Sequence, residues 1–424
     1  MNEAPSVVPH VFSLQSIVDA GLCVGCGLCQ SIAGADRVQL RMNGEHGERP
    51  AVLAPLDEAT LTAINEVCPG IHCAGIPSAA GSGDIEIDPL WGPTVWMATG
   101  HATDEQIRFH ASSGGALSAM GQFLLDSGEV DFILHVAASR EKPLRSAAHL
   151  SFSTMQVMEA SGSRYGPAAP LTDFKAVLDR RRPFAFIGKP CDISAIRNYA
   201  ELDPRVDELL RYTLNFFCGG VSKFSKTLDY VRKVGLSEPQ VSHLRYRGDG
   251  CPGPMVLKSR DGRVFEFDYN EMWEDESRWQ LQFRCKICPD SIGERADITV
   301  ADVWPGGKPD TEGLGFNGFI ARTHRGARLL EAAVRARAIT LTEELGFDGL
   351  ELAQGSHARR KQGLASRLRA MRDAGMIVPH FERLRLGLAD AMIDDAARRD
   401  NYQGMRDRLL RGDHREAFHS DEST

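Results

Sequence analysis

The chain has 424 residues, of which 42% are hydrophobic and 25% are charged, proportions typical of a globular protein with more than one domain. Its formal net charge of −8 argues against a general nucleic-acid binder, which would carry a basic excess. No segment approaches the roughly 20 apolar residues that cross a bilayer, and the N-terminus lacks a signal-peptide pattern. We therefore expect a cytoplasmic protein without nucleic-acid or membrane partners, in which thiols stay reduced.

The first predicted element is a group of cysteines near the N-terminus. Cys23, Cys26 and Cys29 are each separated by two residues, which lets one loop wrap three thiolates around a face of an iron–sulfur cluster. Cys68 is the expected fourth ligand because proline follows it, and Cys73 is the alternate. Structural zinc is the rival interpretation, although zinc usually takes two pairs of ligands. The spacing favours a single 4Fe–4S cluster.

After a predicted linker of small residues over 79–83, strands and helices alternate along the chain. Strands are predicted over 94–99, 130–137, 183–187 and 212–217, and helices over 112–125, 173–179 and 223–234. This alternation predicts an α/β domain with a largely parallel sheet. Residues 242–268 are predicted to form short strands around an Asp-Gly turn, which is a β-hairpin signal.

The second group of cysteines is dispersed along this α/β region. Cys191 and Cys218 each follow a predicted strand and precede a turn, at the strand ends where ligands bind in open α/β sheets. Cys285 and Cys288 form a pair that could complete a square of sulfurs with them. A redox dithiol, half of a zinc site and buried core cysteines are the alternatives, and Cys251 is the alternate ligand.

Two further segments are candidates for binding a phosphate group. Residues 112–115 (Ser112, Ser113, Gly114 and Gly115) precede a predicted helix, where hydroxyls, glycines and backbone N–H groups suit a pyrophosphate. Residues 162–165 (Gly162, Ser163, Arg164 and Tyr165) form a turn with a guanidinium and a phenol. An ordinary helix cap and a surface turn are the simpler interpretations. The sequence has no G-x-G-x-x-G after a strand, so a Rossmann site is not supported.

The last 70 residues or so are predicted to be mostly helical. Leu364, Leu368 and Met371 fall on one helical face, and basic residues surround it: Arg359, Arg360, Lys361, Arg367, Arg369 and Arg372. We interpret this pattern as a docking helix with a solvated basic face, in preference to a dedicated anion or partner site.

An ordered set of segments then resembles a known family. The segments are Ala111 to Leu117, Gly188 to Ile193, Phe217 to Gly220, Tyr246 to Gly250, Arg284 to Asp290 and Ala296 to Trp304. Over about residues 20–385 the chain resembles the family of the coenzyme F₄₂₀ hydrogenase/dehydrogenase beta subunit. That family also includes 7-hydroxymethyl chlorophyll a reductase and the ferredoxin-dependent divinyl chlorophyllide 8-vinyl reductases.

The resemblance implies a flavoprotein that binds FAD and one or more 4Fe–4S clusters. It implies FAD phosphates near residues 112–115, with residues 162–165 close by. Three features depart from the family pattern. Lys189 stands where many relatives have threonine, Cys251 stands where many have tryptophan or another non-ligand, and the Cys23 motif is absent from the simplest members. The third departure suggests a ferredoxin-like module fused to a flavin domain.

The expected fold is therefore α/β with α+β elements, in four regions. These are an N-terminal ferredoxin-like iron–sulfur module (1–90), a flavin-binding domain (91–175), a domain with the second iron–sulfur site (176–345) and a helical C-terminal region (346–424). The expected function is electron transfer between ferredoxin, or a similar one-electron carrier, and an organic substrate or coenzyme, through two 4Fe–4S clusters and FAD. Tyr165, Asp302 and Lys189 are the candidate catalytic residues, because substrate reduction needs a proton donor.

Two other functions are compatible with the sequence. One is an electron-relay subunit of a hydrogenase or dehydrogenase complex, with no substrate of its own. The other is a binding protein stabilised by zinc. A homo-oligomer is also compatible with the sequence, and the substrate and the direction of electron flow are not encoded in any motif.

Overall fold

The structure is a computed structural model, and it describes residues 11–76, 85–272, 280–307, 309 and 313–416. The predicted linker over 79–83 lies outside the described residues. Within the described ranges, none of the helices combines the length and the apolar character that crossing a bilayer requires.

Short elements form the N-terminal region, which carries the first group of cysteines. They are α1 (Leu14–Asp19), α2 (Leu28–Ala33), β1 (Val38–Asn43), β2 (Gly47–Val52), α3 (Glu58–Val67) and β3 (His72–Ala74). β1 and β2 pair as an antiparallel hairpin. The Asp57 side chain caps α3 by accepting the N–H of Thr60, as expected for an aspartate at this position.

The middle of the chain alternates strands and helices, as the sequence predicted. Its elements are β4 (Glu86–Asp88), β5 (Gly92–Thr94), β6 (Trp96–Ala102), α4 (Glu105–His110), α5 (Ala116–Asp126), β7 (Phe132–Ala138), β8 (Ser146–Ser151), α6 (Thr154–Glu159), α7 (Phe174–Asp179), β9 (Phe184–Gly188), α8 (Pro190–Tyr199), α9 (Arg205–Leu209), β10 (Leu210–Phe216), α10 (Phe224–Lys233), β11 (Val241–Arg245), β12 (Met255–Ser259) and β13 (Val264–Phe267). β12 and β13 form the predicted hairpin, and β11 adds a third antiparallel strand.

The C-terminal part completes the main sheet and then becomes mostly helical. Its elements are α11 (Phe283–Lys286), β14 (Ile298–Asp302), β15 (Asn317–Ala321), α12 (His324–Arg335), β16 (Ile339–Glu344), α13 (Phe347–Gln362), α14 (Leu364–Asp373), β17 (His380–Glu382), α15 (Leu386–Ala391) and α16 (Asp395–Arg411). β17 returns to the N-terminal region and pairs with β3 in parallel.

The main sheet has eight strands in the order β16-β6-β15-β14-β10-β9-β7-β8. Only the pairs β14–β10, β10–β9 and β9–β7 are parallel. The pairs β16–β6, β6–β15, β15–β14 and β7–β8 are antiparallel. The prediction of a largely parallel sheet was therefore wrong. The parallel centre follows from the βαβ alternation, whereas β15 and β16 pair with β6, more than 200 residues earlier in the chain, a pairing that no local pattern encodes.

The hydrophobic core crosses the region boundaries that the sequence suggested. Ile17 and Leu22 of the N-terminal region share one buried cluster with Phe283, Leu368 and other residues of the C-terminal helices. Leu28 lies in another cluster with residues of β7, β9 and α8. The N-terminal region is thus packed against both the C-terminal helices and the main sheet.

The basic face of the C-terminal helices is only partly solvated. Arg359, Arg369 and Arg372 are exposed, as predicted. Lys361 is buried and contacts Glu294, and Arg360 donates to the carbonyl oxygens of the segment that carries Cys218. The prediction was wrong for these two side chains. They hold α13 against the second group of cysteines.

Candidate functional site

The first group of cysteines surrounds one apolar cavity. Cys23, Cys26, Cys29 and Cys68 line it, together with apolar residues of α1, α3, β1 and β2. Gly25 has a left-handed φ of 68° and donates its backbone N–H to Cys23 Sγ at 3.4 Å, a contact typical of loops that wrap a cluster. The structure brings together the four thiols that the sequence predicted as one set.

Cys73, the alternate ligand, is not among the residues that line this cavity. Its thiol donates to the carbonyl oxygen of Pro69 at 3.3 Å, and its sulfur accepts from Arg284 Nη2 at 3.7 Å. Arg284 also donates to the carbonyl oxygens of Pro69 and Gly70. Cys73 therefore packs behind the loop that carries Cys68.

Burial determines the protonation of these thiols. Burial, helped by neighbouring thiols, raises the pKa of Cys68 to about 12 and the pKa of Cys29 well above its ordinary value. The free thiols hold their protons at neutral pH until a cation replaces them. Four soft donors around one apolar cavity fit a 4Fe–4S cluster, and four sulfurs would also satisfy zinc.

The second group of cysteines meets at the carboxyl ends of two adjacent parallel strands. Cys218 follows β10, and Cys191 lies at the start of α8, directly after β9. Cys285 Sγ accepts the backbone N–H of Val221 at 3.4 Å. Burial is the main cause that raises the pKa of Cys218 to about 11 and that of Cys288 to about 12, and the Cys285 thiol contributes to both shifts. The Cys218 and Cys288 thiols also raise the pKa of Cys191, after burial.

One detail of this prediction was wrong. The sequence placed Cys191 before a turn, but Pro190 begins α8 immediately after β9, so Cys191 lies in the first helical turn. Proline is common at this position, because its fixed φ suits a helix and its missing N–H would be unpaired there. The four thiols of the second set nevertheless lie close enough to act electrostatically on one another.

Cys251 lies apart from this set. Its backbone bridges to Gly313, and its sulfur is 3.9 Å from Arg247 Nη2. It is buried, and the leading electrostatic effects on Cys191, Cys218 and Cys288 come from one another, from Cys285 and from nearby charged side chains. The geometry favours Cys191, Cys218, Cys285 and Cys288 as the group.

Buried cations lie between the two groups of cysteines. Lys189 Nζ is 2.7 Å from Asp192 Oδ2, and its charge acts on Cys26 of the first group and on Cys191 of the second. Burial lowers the pKa of Lys189, but the Asp192 carboxylate together with the neighbouring Cys191 and Cys26 raises it above its ordinary value. Lys189 is therefore a fixed positive charge, which does not suit the role of proton donor suggested by the sequence.

A second buried ion pair has the same position between the groups. Arg49 is fully buried, and it donates to the Glu416 carboxylate at 2.5 and 2.7 Å. The Arg49 guanidinium acts electrostatically on Cys23 and on Cys285. Arg49 could not be predicted from the sequence, since a lone arginine in a strand carries no local pattern that indicates a functional position.

The two phosphate-binding candidates are in direct contact. Ser163 donates its backbone N–H to Ser112 Oγ at 2.8 Å and its hydroxyl at 2.9 Å. Because Ser112 Oγ accepts both hydrogen bonds, its own proton can be donated to a third group. The structure thus joins segments that are fifty residues apart in the sequence.

The glycines before α5 are required by close packing. A Cβ on Gly114 would lie 2.7 Å from Asn317 Oδ1, and one on Gly115 would lie 2.8 Å from the carbonyl oxygen of Ile107. Gly115 has a φ of 74° and provides no side-chain cap to α5. Asn317 Oδ1 accepts the N–H of Ala116 at 3.2 Å. The Ser113 hydroxyl is used elsewhere, since it donates to the carbonyl oxygen of Phe316 at 2.7 Å. Asn317 satisfies the first N–H of this 11-residue helix, and the helix N-terminus together with the Ser112 and Ser163 hydroxyls provides donors that fit a phosphate group.

Arg164 has a structural role in this region. Its guanidinium donates to Ser146 Oγ and to the carbonyl oxygens of Leu244, Pro143, Leu144 and Arg145. It is buried, and its carbon Cζ lies 5.2 Å from the ring centre of Tyr246. These contacts tie the 162–165 turn to β8 and β11.

Tyr165 and Asp302 are brought together by an arginine that sequence reasoning missed. Arg247 Nη1 lies 2.6 Å from Asp302 Oδ2, and Arg247 packs over the rings of Tyr269 and Trp304 at 5.1 and 4.9 Å. Burial raises the pKa of Tyr165, the Arg247 charge lowers it and the Asp302 charge raises it. Arg247 belongs to one of the segments that resemble the family, which was the available signal.

A short segment connects this cluster to the second group of cysteines. Ser222 follows Cys218 by four positions and donates its backbone N–H to the carbonyl oxygen of Tyr165 at 3.0 Å. The candidate sites therefore have a spatial order. The first group of cysteines is followed by the buried cations, the second group of cysteines, and then the Tyr165 cluster (Tyr165, Arg247 and Asp302) with the contact between Ser112 and Ser163.

Two family models match the chain. The coenzyme F420 hydrogenase/dehydrogenase beta subunit N-terminal model matches residues 97–174, and the C-terminal model of the same subunit matches residues 182–345. Together they cover more than half of the chain. Neither matched range includes the first group of cysteines or the C-terminal helices.

Curated relatives agree with these models. An uncharacterized protein of Methanocaldococcus jannaschii is 23% identical over 364 residues, which is 80% of this chain and 93% of that protein. The coenzyme F420-dependent sulfite reductase of the same organism is 22% identical over 79% of this chain, and the match spans 49% of that protein. The coenzyme F420 hydrogenase subunit beta of Methanothermobacter thermautotrophicus is 22% identical over 67% of this chain and 97% of its own length.

A solved structure shares the fold. A chain of the F420-reducing NiFe hydrogenase complex from Methanosarcina barkeri superposes with a TM-score of 0.52 at 20% sequence identity. The superposition covers 67% of this chain and 96% of that one.

Proposed function

Because the chain belongs to the coenzyme F₄₂₀ hydrogenase/dehydrogenase beta subunit family, we propose that it is an electron-transfer oxidoreductase acting between a one-electron carrier and an organic substrate or coenzyme. Ferredoxin is the proposed carrier. The proposed domains are those suggested by the sequence: an iron–sulfur module over 1–90, a flavin-binding domain over 91–175, a second cluster domain over 176–345 and helices over 346–424.

The observation that carries this proposal is the spatial order of the candidate sites. Two sets of four thiols are separated by buried cations, and the second set is one short segment away from Tyr165. When bound, two 4Fe–4S clusters would pass single electrons, and FAD would exchange electrons singly with them and in pairs with a substrate. The proposed ligands are Cys23, Cys26, Cys29 and Cys68 for one cluster, and Cys191, Cys218, Cys285 and Cys288 for the other.

The residues near the proposed flavin site have distinct tasks. Ser112 and Ser163 would hold a phosphate group together with the N-terminus of α5. Arg164 would keep the turn in position through its bonds to backbone carbonyls. Tyr165 is partly buried and its raised pKa keeps it protonated at neutral pH, so it is our preferred proton donor, and Asp302 would orient it through Arg247.

Stopped-flow reduction by ferredoxin tests this function. We expect reduced ferredoxin to bleach the cluster absorbance of the wild-type protein first and its flavin absorbance afterwards. A Cys26→Ala variant should keep its flavin and lose at least about tenfold in the rate of flavin reduction, because the entry cluster is incomplete. An equal rate in the variant would show that ferredoxin does not enter through this site.

The relay function is the second candidate, because a relative with this fold occurs in a hydrogenase complex. Coenzyme F₄₂₀ is the first substrate to test, since it is named in the matched relatives. Turnover of F₄₂₀ or another organic acceptor by the isolated chain with reduced ferredoxin would support a complete enzyme. Turnover that appears only after a partner subunit is added would support the relay.

A further inference from the structure

Two imidazoles and one carboxylate meet on the protein surface and are not among the residues that line the cavity of the first cysteine group. His72, His380 and Glu382 each offer one ligand atom, and these atoms all lie within 4.8 Å of one another. No step of the proposed electron transfer uses them.

The strand pairing explains why these side chains meet. β3 and β17 pair in parallel, with His72 opposite His380. Residues directly opposite in neighbouring strands point to the same face, and so do residues two positions apart in one strand. His72, His380 and Glu382 therefore share one face of this two-stranded sheet.

The orientation of His72 is fixed from behind. Its Nδ1 lies 3.0 Å from the carbonyl oxygen of Glu66, which can only accept a hydrogen bond, so Nδ1 carries the proton. Nε2 then presents its lone pair, and it lies 3.8 Å from Glu382 Oε1. Histidine ligands of metals typically donate their other ring N–H to a carbonyl or carboxylate in this way.

His380 and Glu382 complete the arrangement. His380 Nδ1 is 3.2 Å from the same Glu382 oxygen, and the two imidazole rings stack with their centres 5.9 Å apart. Glu382 Oε2 accepts from Arg383, which leaves Oε1 towards the imidazoles. The side chains are 31%, 69% and 37% exposed in the order His72, His380 and Glu382, so solvent reaches the space between them.

We propose that His72 Nε2, His380 Nδ1 and the Glu382 carboxylate bind one divalent transition-metal cation, with Zn²⁺ as the preferred ion. Two imidazoles and one carboxylate are a common protein donor set for zinc, and exposure leaves the fourth position to water. A bound ion would link β3, which follows Cys68, to β17, which follows α14. Each of these strands has only three residues, so the ion would clamp a short contact.

Equilibrium dialysis of the cluster-loaded protein against zinc, followed by metal analysis, tests the site. We expect one zinc per chain in the wild type, in addition to the iron of the clusters. His380→Ala and Glu382→Gln should each weaken binding by more than about tenfold, since loss even of a residue behind a ligand has an effect of that size. His243→Ala, at an exposed histidine of β11, is the matched control and should bind like the wild type.

A second readout separates this site from zinc that enters a cysteine site. The iron content of all variants should equal that of the wild type, and added zinc should raise the melting temperature of the wild type and the control only. Equal zinc binding by the wild type and both ligand variants would overturn the proposal. So would zinc uptake that rises only as iron is lost.

Discussion

Lys189 Nζ lies 2.7 Å from Asp192 Oδ2, and both side chains are buried between two groups of four cysteines. The Lys189 charge acts on thiols of both groups. An ion pair in this position changes the electrostatic potential that any electron experiences on its way between the groups.

Replacing either member of this pair should shift the reduction potentials of both proposed clusters, and the two replacements should have opposite effects. Lys189→Met removes a positive charge and leaves the Asp192 carboxylate, so both potentials should fall. Asp192→Asn leaves the lysine charge uncompensated, so they should rise. Shifts on the order of tens of millivolts are expected at an effective dielectric constant of about 20. Redox titration followed by electron paramagnetic resonance measures them, and unchanged potentials in both variants would refute the assignment.

The first cluster should depend on Cys68 and be indifferent to Cys73. Cys68→Ala should lose about four irons per chain, because Cys68 lines the cavity with the other three thiols. Cys73→Ala should retain them, since the Cys73 thiol donates to Pro69 and packs against Arg284. Iron and acid-labile sulfide analysis of anaerobically purified variants distinguishes the two. Loss of iron in the Cys73 variant alone would reverse the assignment.

The second cluster should show the same contrast between Cys191 and Cys251. Cys191→Ala should lose about four irons, because its thiol lies within electrostatic range of Cys218 and Cys288. Cys251→Ala should keep its full iron content. The flavin content of the Cys251 variant is a second readout, since the Cys251 sulfur contacts Arg247. A loss of iron from the Cys251 variant would show that Cys251 is a ligand.

A buried histidine beside the second group of cysteines should make the free energy of unfolding depend on pH. Burial lowers the pKa of His357 to about 3, and its Nδ1 lies 2.8 Å from Ser291 Oγ. In the unfolded state His357 binds a proton once the pH falls below its ordinary pKa of about 6.5, whereas in the folded state it does not. The free energy of unfolding therefore falls as the pH falls from 6.5 towards 3. Between pH 7.5 and pH 5.5 the loss from this group is about 1.4 kcal/mol.

The His357→Asn variant isolates this contribution, because the asparagine amide can replace the Nδ1 contact and does not titrate. We expect urea denaturation of the variant to show a decrease between pH 7.5 and pH 5.5 that is smaller than that of the wild type by about 1.4 kcal/mol. Equal decreases would mean that burial does not lower the pKa of His357 in the folded protein.

The parts of the site that rest on local spacing were predictable from the sequence. The loop with Cys23, Cys26 and Cys29 folds around one cavity because two-residue gaps already bring the thiols close. Cys191 and Cys218 meet because β9 and β10 are adjacent parallel strands, as the strand–helix alternation suggested. The hairpin of β12 and β13 follows from its Asp-Gly turn.

Features that depend on distant pairings were not predictable. The antiparallel strands β15 and β16 join the sheet through β6, far earlier in the chain. Arg49 meets Glu416 across nearly the whole sequence, and Lys189 is paired with Asp192. Nothing in the residues around Arg247 indicates that it bridges Tyr165 and Asp302. Such contacts are set by tertiary packing, which a single sequence does not display.

An anaerobic reductive titration of the purified protein tests the central claim most directly. Two 4Fe–4S clusters that each accept one electron and one FAD that accepts two should together take up about four electrons per chain. Electron paramagnetic resonance should then resolve two cluster signals, of which Cys68→Ala and Cys191→Ala each remove one. A colourless protein that contains zinc and takes up no electrons would contradict the account.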